Sequence, residues 1–131
     1  MSIVGALRHL GYALDVDFVL AEFSAGVVSI EWLSAAPQPT QAEIDAAILP
    51  AAKAQRIAAI NAECRARLIA RFGPAEEQVS RSVGVYGAAE QQALASGIAA
   101  TIDASNAASN AILAAADLAA VEAVTVTWPV I

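Results

Sequence analysis

One cysteine and one histidine among 131 residues leave little from which a metal site or a nucleophilic centre could be assembled. With Cys64 alone, no disulfide can form within the chain. Aromatic residues are 5% and charged residues 15% of the sequence, and about a quarter of it is alanine, so a hydrophobic content of 58% overstates the supply of large core side chains. A thin core is expected, in one modest domain. Long apolar runs are lacking too. Pro50, Asp103, Ser105, Asn106, Ser109 and Asn110 interrupt the most apolar regions well short of the roughly 18 residues of a membrane span. Arg8 and His9 stand in the first turns, without an apolar run of signal-peptide length. A soluble chain made in a cytoplasm is expected, neither exported by that route nor inserted in a membrane.

Bases are scarce and unevenly placed. Seven Lys and Arg face thirteen Asp and Glu, a net charge of −6 that disfavours binding to nucleic acid phosphates and to anionic lipid. Residues 1–52 set Arg8 against Asp15, Asp17, Glu22, Glu31, Glu43 and Asp45, a balance of −5. Residues 53–81 reverse the sign, with Lys53, Arg56, Arg65, Arg67, Arg71 and Arg81 against Glu63, Glu76 and Glu77, a balance of +3. The last fifty residues hold Glu90, Asp103, Asp117 and Glu122 and no base at all. Three segments with different surfaces are implied.

Ser2 can cap a short helix carrying Ile3, Val4, Leu7 and Leu10, which Gly11 ends by supplying a left-handed position. From Asp17 the texture changes: the runs 18–23 and 27–33 flank Ser24-Ala25-Gly26 in the pattern of a β-hairpin with a short loop. In the second run Val28, Ile30 and Trp32 share one face and Ser29 and Glu31 the other, so one face should be buried. Pro37 and Pro39 close this region. Val124 to Trp128 alternates again before Pro129 and reads as a third strand, since a lone hairpin is only marginally stable.

Between these lies a helical region. Thr40-Gln41-Ala42-Glu43 has the form of a capping box, so a helix should start at Gln41. Pro50 predicts a kink or a restart, and Gly73-Pro74 stops the pattern after Phe72. At about 100° per residue Ile57, Ile60, Cys64, Leu68 and Phe72 form one stripe, flanked by Lys53, Arg56, Arg67 and Arg71, and the rest is mostly alanine. Pro74, Glu76 and Glu77 open a short helix that fades at Gly84 and Gly87. A further helix over 88–116 carries Leu94, Ile98, Ile102, Ile112 and Leu113 on a stripe with Ser105 and Ser109 in its middle. Gln92, Asp103, Asn106 and Asn110 line one edge. The two long helices match at about 30 residues, or 45 Å, as in a helical hairpin. Asp117 caps a last short helix through Leu118, Val121 and Glu122.

The expected fold is therefore α+β and mostly helical. A short N-terminal helix and β-hairpin occupy 1–39 and are joined by a C-terminal strand. A long Ala-rich helical hairpin occupies 40–116, and 117–131 is a short helix and strand returning to the sheet.

Few motifs carry chemistry. Asp15 and Asp17 are spaced as at the start of a calcium loop, but no glycine, further acid or closing Glu follows in register, so strand-edge solvation is expected of them. Core packing is expected of Cys64 and His9, a free thiol on an apolar stripe behaving as a small hydrophobe. A thiolate lowered by Arg65 and Arg67 would still need a base and an orienting group. Gly84 and Gly87 lack the Lys and the preceding strand of a phosphate loop. The basic stretch 53–81 lacks interleaved aromatics and reads as a solvated helix flank. Docking on an acidic partner is the alternative, as is contact with the acidic N-terminal third within the chain or between copies.

The repeat Ala104-Ser105-Asn106-Ala107, Ala108-Ser109-Asn110-Ala111 puts poor helix-interior residues in mid-helix. Either it is a polar patch tolerated on an exposed helix, or Ser105 and Ser109 permit close approach of another helix while Asn106 and Asn110 set register across an oligomer interface.

Leu7-Arg8-His9-Leu10, Asp17-Phe18-Val19-Leu20, Ile30-Glu31-Trp32 and Pro37-Gln38-Pro39-Thr40-Gln41-Ala42-Glu43-Ile44-Asp45 together resemble a family of small bacteriophage proteins, often called XkdW-like. Ile60-Asn61-Ala62-Glu63-Cys64-Arg65 and the terminal Thr127-Trp128-Pro129 continue the resemblance, which covers the first half and the last few residues. Such proteins are typically encoded in tail modules close to tail-fibre genes, and the family offers no catalytic residues to carry over. The resemblance implies a non-enzymatic structural protein of the virion tail, made in the host cytoplasm, that oligomerises and attaches or stabilises a tail-fibre or baseplate component. A tail-fibre assembly chaperone absent from the mature virion is the alternative, and an enzyme using Cys64 or the Asp15 and Asp17 pair is the third reading. No cofactor and no metal is expected. The interface is expected at Arg56, Arg67 and Arg71 on the first long helix and at Leu94, Ile98, Ile102, Ser105, Asn106, Ser109 and Asn110 on the second.

Overall fold

A computed structural model describes residues 3–23 and 27–131, with the side chains of 22, 23, 27 and 28 left aside. The expected cap at Ser2 and the loop Ser24-Ala25-Gly26 lie outside the described residues. The chain divides into two compact units, 1–54 and 55–131.

The first unit holds helix α1 (Ile3–His9), an antiparallel hairpin of β1 (Phe18–Phe23) and β2 (Val27–Trp32), and the opening turns of α2 (Gln41–Phe72). Gly11, at φ +95°, turns the chain out of α1, and Tyr12 N–H donates to the Leu7 carbonyl. Phe18 pairs with Trp32 across the hairpin, which sets Ile30 and Trp32 on the face turned to the core. That core is Ala6, Leu7, Phe18, Ile44 and Ala47, with Tyr12 edge-on to Trp32 at 4.8 Å between centroids. The capping box forms as its spacing requires: Glu43 N–H donates to Thr40 Oγ1 at 3.2 Å, and Thr40 N–H donates to Glu43 Oε2 at 2.7 Å.

α2 is continuous through Pro50, so the expected restart does not occur. Pro50 and Ala46, whose carbonyl loses its donor, both stand on the exposed side, where water can take up the lost bond. His9 is a second correction. It is exposed, because two residues beyond buried Leu7 the helix has turned by about 200°.

The second unit contains the rest of α2, α3 (Ala75–Ser82), α4 (Ala88–Ala114), α5 (Leu118–Ala123) and the segment 124–131. Gly73 at φ +80° ends α2, and Gly84 and Gly87 at φ +84° and +93° turn the chain into α4. α2 and α4 run antiparallel: Ser105 hydroxyl donates to Asn61 Oδ1 at 3.2 Å, the Cys64 thiol meets the Thr101 carbonyl at 3.9 Å, and Phe72 abuts Gly97. Asp117 caps α5 by accepting from Ala120 N–H at 2.8 Å.

The expected C-terminal strand is absent: among the described residues the sheet has only β1 and β2, and 124–131 carries no strand pairing. Its alternation is nevertheless visible, with Val124, Val126 and Trp128 partly buried and Thr125 and Thr127 exposed. Arg56 donates to the Val124 carbonyl at 3.2 Å, and Arg67 sits 4.9 Å above the Trp128 ring. A period of two encodes a backbone with one covered face, and here helices provide the cover. The hairpin needs no third strand because α1 and the start of α2 pack on it.

Candidate functional site

The basic flank of α2 and α3 is largely engaged within the second unit. Arg67 pairs with Glu63 one turn back at 2.7 Å and faces Trp128. Arg71 and Arg81 converge on Glu90 at 3.3 and 2.5 Å. Arg81 also donates to the Phe72 carbonyl at 3.1 Å and lies over the Tyr86 ring, which ties the end of α2 to the α3 corner. The Arg71 hydrogen bond, joined by the attraction of both guanidiniums, holds the Glu90 carboxyl below its ordinary range, against an opposing contribution from desolvation. Arg56, Arg67 and Arg71 thus seat the chain's own C-terminal segment and Glu90.

The expected interface residues on α4 divide between two faces. Leu94 and Ser105 are buried, together with Gly97, Thr101, Ala108 and Ile112, at steps of three and four as a packed helix face requires. Ile98 and Ser109 are partly buried. Ile102, Asn106 and Asn110 are exposed, as is Leu113 at 60%. Ser105 therefore permits close approach of α2 of the same chain, while the two asparagines point elsewhere. Small and hydroxylic residues fill much of the stripe because α2 side chains reach the α4 backbone there, Phe72 at Gly97 and Cys64 at the Thr101 carbonyl; Thr101, 1% exposed, donates its hydroxyl to the Gly97 carbonyl at 2.7 Å.

Asp15 and Asp17 build a turn. Asp17 Oδ2 accepts from Ala13 N–H at 2.7 Å, and Asp15, at φ +63°, donates its own N–H to the Phe18 carbonyl at 2.8 Å. The left-handed conformation suits an aspartate better than most residues. No group of three or more metal-ligating side chains occurs among the described residues. Cys64 is buried, with the Thr101 carbonyl as its polar neighbour. Among the described residues no helix is long and apolar enough to cross a membrane.

Two of the concavities framed by described residues bear on the site. One, of about 280 Å³, runs beside the C-terminal segment between Phe72, Gly97, Ala100, Pro129 and Ile131. The other, of about 320 Å³, is framed in the first unit by Leu10, Tyr12, Pro37, Pro39 and Glu43. Sequence reasoning missed the apolar corner after α3, where Val79, Val83, Val85 and Tyr86 are 50–70% exposed. For Val83, Val85 and Tyr86 the signal was the Val-Gly-Val-Tyr-Gly run, apolar residues set between glycines that interrupt a helix.

No family model, no curated protein and no solved structure matches the chain.

Proposed function

We propose that this is a non-enzymatic, phage tail-associated structural protein that self-associates and attaches or stabilises a tail-fibre or baseplate component in the virion. The observation that carries the reading is the resemblance of residues 7–10, 17–20, 30–32, 37–45, 60–65 and 127–129 to the XkdW-like proteins. The long α4 face bearing Ile102, Asn106 and Asn110 supports its oligomeric part, since a helix of 27 residues presents there a surface almost without charge. The exposed Val79, Val83, Val85 and Tyr86 corner favours a second reading, a chaperone that grips an unassembled fibre and leaves.

Quantitative mass spectrometry on purified particles, with the major tail protein as internal reference, separates the two. A fixed stoichiometry, in a multiple of three or six, is expected of a tail component. Abundance in the lysate with absence from particles would transfer the assignment to the chaperone.

A further inference from the structure

α4 has a second line of residues besides the buried one. Ala99, Ile102, Asn106, Asn110 and Leu113 recur at steps of three, four, four and three, which places them along one side of the helix. All five are exposed, Ile102 at 41% and Leu113 at 60%. About the midpoint of Asn106 and Asn110 the chemistry reads nearly the same in both directions: an apolar residue, two asparagines, an apolar residue.

Such a line is self-complementary in the manner a two-fold interface requires, where each residue meets its counterpart reciprocally. Laid antiparallel with the axis passing between positions 106 and 110, Asn106 comes opposite Asn110 of a second copy, and Ile102 comes opposite Ala114, one residue from Leu113. We infer that α4 pairs antiparallel with α4 of a second copy of this chain through this line.

Charge and hydrogen bonding select the occupant. The chain is at −6, and copies repel wherever acids face each other, yet this line holds no charged group and only Asp103 borders it. A basic or acidic partner would find nothing here to read. Asparagine carries donors and an acceptor together, so an identical amide can satisfy both, whereas an apolar partner would leave them stranded. Alanines between the asparagines let two helices approach closely. A single helix-on-helix contact falls below the roughly 800 Å² per partner of a standard stable interface, so the dimer is weak and reversible, in the micromolar range.

The inference rests on the oligomeric part of the reading above and not on its tail assignment. Sedimentation velocity on the full chain, from low micromolar to millimolar concentration, should show a monomer–dimer equilibrium. Asn106→Asp combined with Asn110→Asp should weaken it about tenfold or more by placing four carboxylates across one contact, with the circular dichroism spectrum unchanged because both sites are exposed. Val83→Asp, on the α3 corner, should leave the equilibrium as it was.

Orientation is read by mild oxidation: a mixture of Asn106→Cys and Asn110→Cys chains should yield disulfide-linked heterodimers, and Asn106→Cys chains alone far fewer. A monomer at every concentration, a dimer indifferent to the double Asp variant, one broken by Val83→Asp, or preferential linkage of Asn106→Cys to itself would each overturn the inference. A dimer on this face in a protein absent from particles would instead overturn the tail assignment alone.

Discussion

The ring of Phe72 lies against the backbone of Gly97, so near that a Cβ on Gly97 would stand 2.8 Å from Cζ and 2.9 Å from Cε2. Phe72 is 1% exposed, which leaves its ring no room to swing aside. Glycine inside a helix costs about 1 kcal/mol relative to alanine, so its presence in mid-α4 has a cause, and that cause is this approach.

Gly97→Ala is therefore expected to destabilise the protein by about 1–3 kcal/mol despite the better helix former, because overpacking against a confined ring outweighs propensity. The urea unfolding midpoint should fall, and fall further for Gly97→Val. A raised midpoint for Gly97→Ala would mean that the ring yields.

Thr40→Ala should cost about 1 kcal/mol, the ordinary loss for an N-cap whose hydroxyl accepts from the N3 amide. The reciprocal bond from Thr40 N–H to Glu43 gives a companion test: Glu43→Ala should lower stability in the same direction. Thermal unfolding of the two variants and of the double variant measures both, and their losses should be less than additive because the two groups form one box.

Glu90 joins Arg71 and Arg81, and its folded pKa lies below the ordinary value of 4.5. A depressed carboxylate contributes stability above its unfolded pKa and loses that contribution as pH falls through the folded value. Melting temperature should accordingly decline on acidification below about pH 4.5, and Glu90→Gln should flatten that part of the profile while lowering stability at neutral pH. An unchanged acid limb in Glu90→Gln would assign the decline to other carboxylates.

Arg67 over Trp128 holds the segment 124–131 onto the helices, together with Arg56 at the Val124 carbonyl. The chain has two tryptophans, so its NMR spectrum should show two indole N–H signals. Arg67→Ala should move the Trp128 signal and leave that of Trp32, which donates to the Ala36 carbonyl at 2.7 Å in the other unit. The accompanying loss of stability should be modest, about 0.5–1 kcal/mol, because the guanidinium itself stays in reach of water.

Ser105 and Asn106 are chain neighbours of opposite fate. Ser105→Leu should destabilise by about 1–3 kcal/mol, since Ser105 is 3% exposed and bonded to Asn61 across the helix pair. Asn106→Leu, at an exposed position, should stay within about 0.5 kcal/mol when unfolding is followed at low concentration.

Local chemistry was legible from the residues alone wherever neighbours in sequence decide the outcome. The box at Thr40 and Glu43, the stop at Gly73-Pro74, the glycine turns at 84 and 87 and the cap at Asp117 all depend on contacts within about four residues. The α2 stripe of Ile60, Cys64 and Phe72 was equally legible, since large residues at helical spacing must find cover. On α4 the same reasoning chose Ile102 and Leu113, which are exposed, over Gly97, Thr101 and Ala108, which are buried. Size misleads where side chains of one helix reach the backbone of the other, because the receiving helix then takes small residues at those positions, as at Gly97 and Thr101.

Helix boundaries such as Gln41, Phe72 and Asp117 follow from the residues alone, and so does the alternation of Val124 to Trp128 into one covered and one open side, but not the absence of a strand there. What covers that side is settled by tertiary contacts. Periodicity specifies the geometry of a segment but not its partner, and partner choice depends on surfaces far away in sequence: here the α2 arginines and the bare Gly97 surface of α4 seat the segment that alternation alone assigned to the sheet. The same holds for the bases of 53–81, whose number is a property of composition, whereas the engagement of Arg56 with the Val124 carbonyl, of Arg67 with Trp128 and of Arg71 and Arg81 with Glu90 exists only once the chain has folded back on itself.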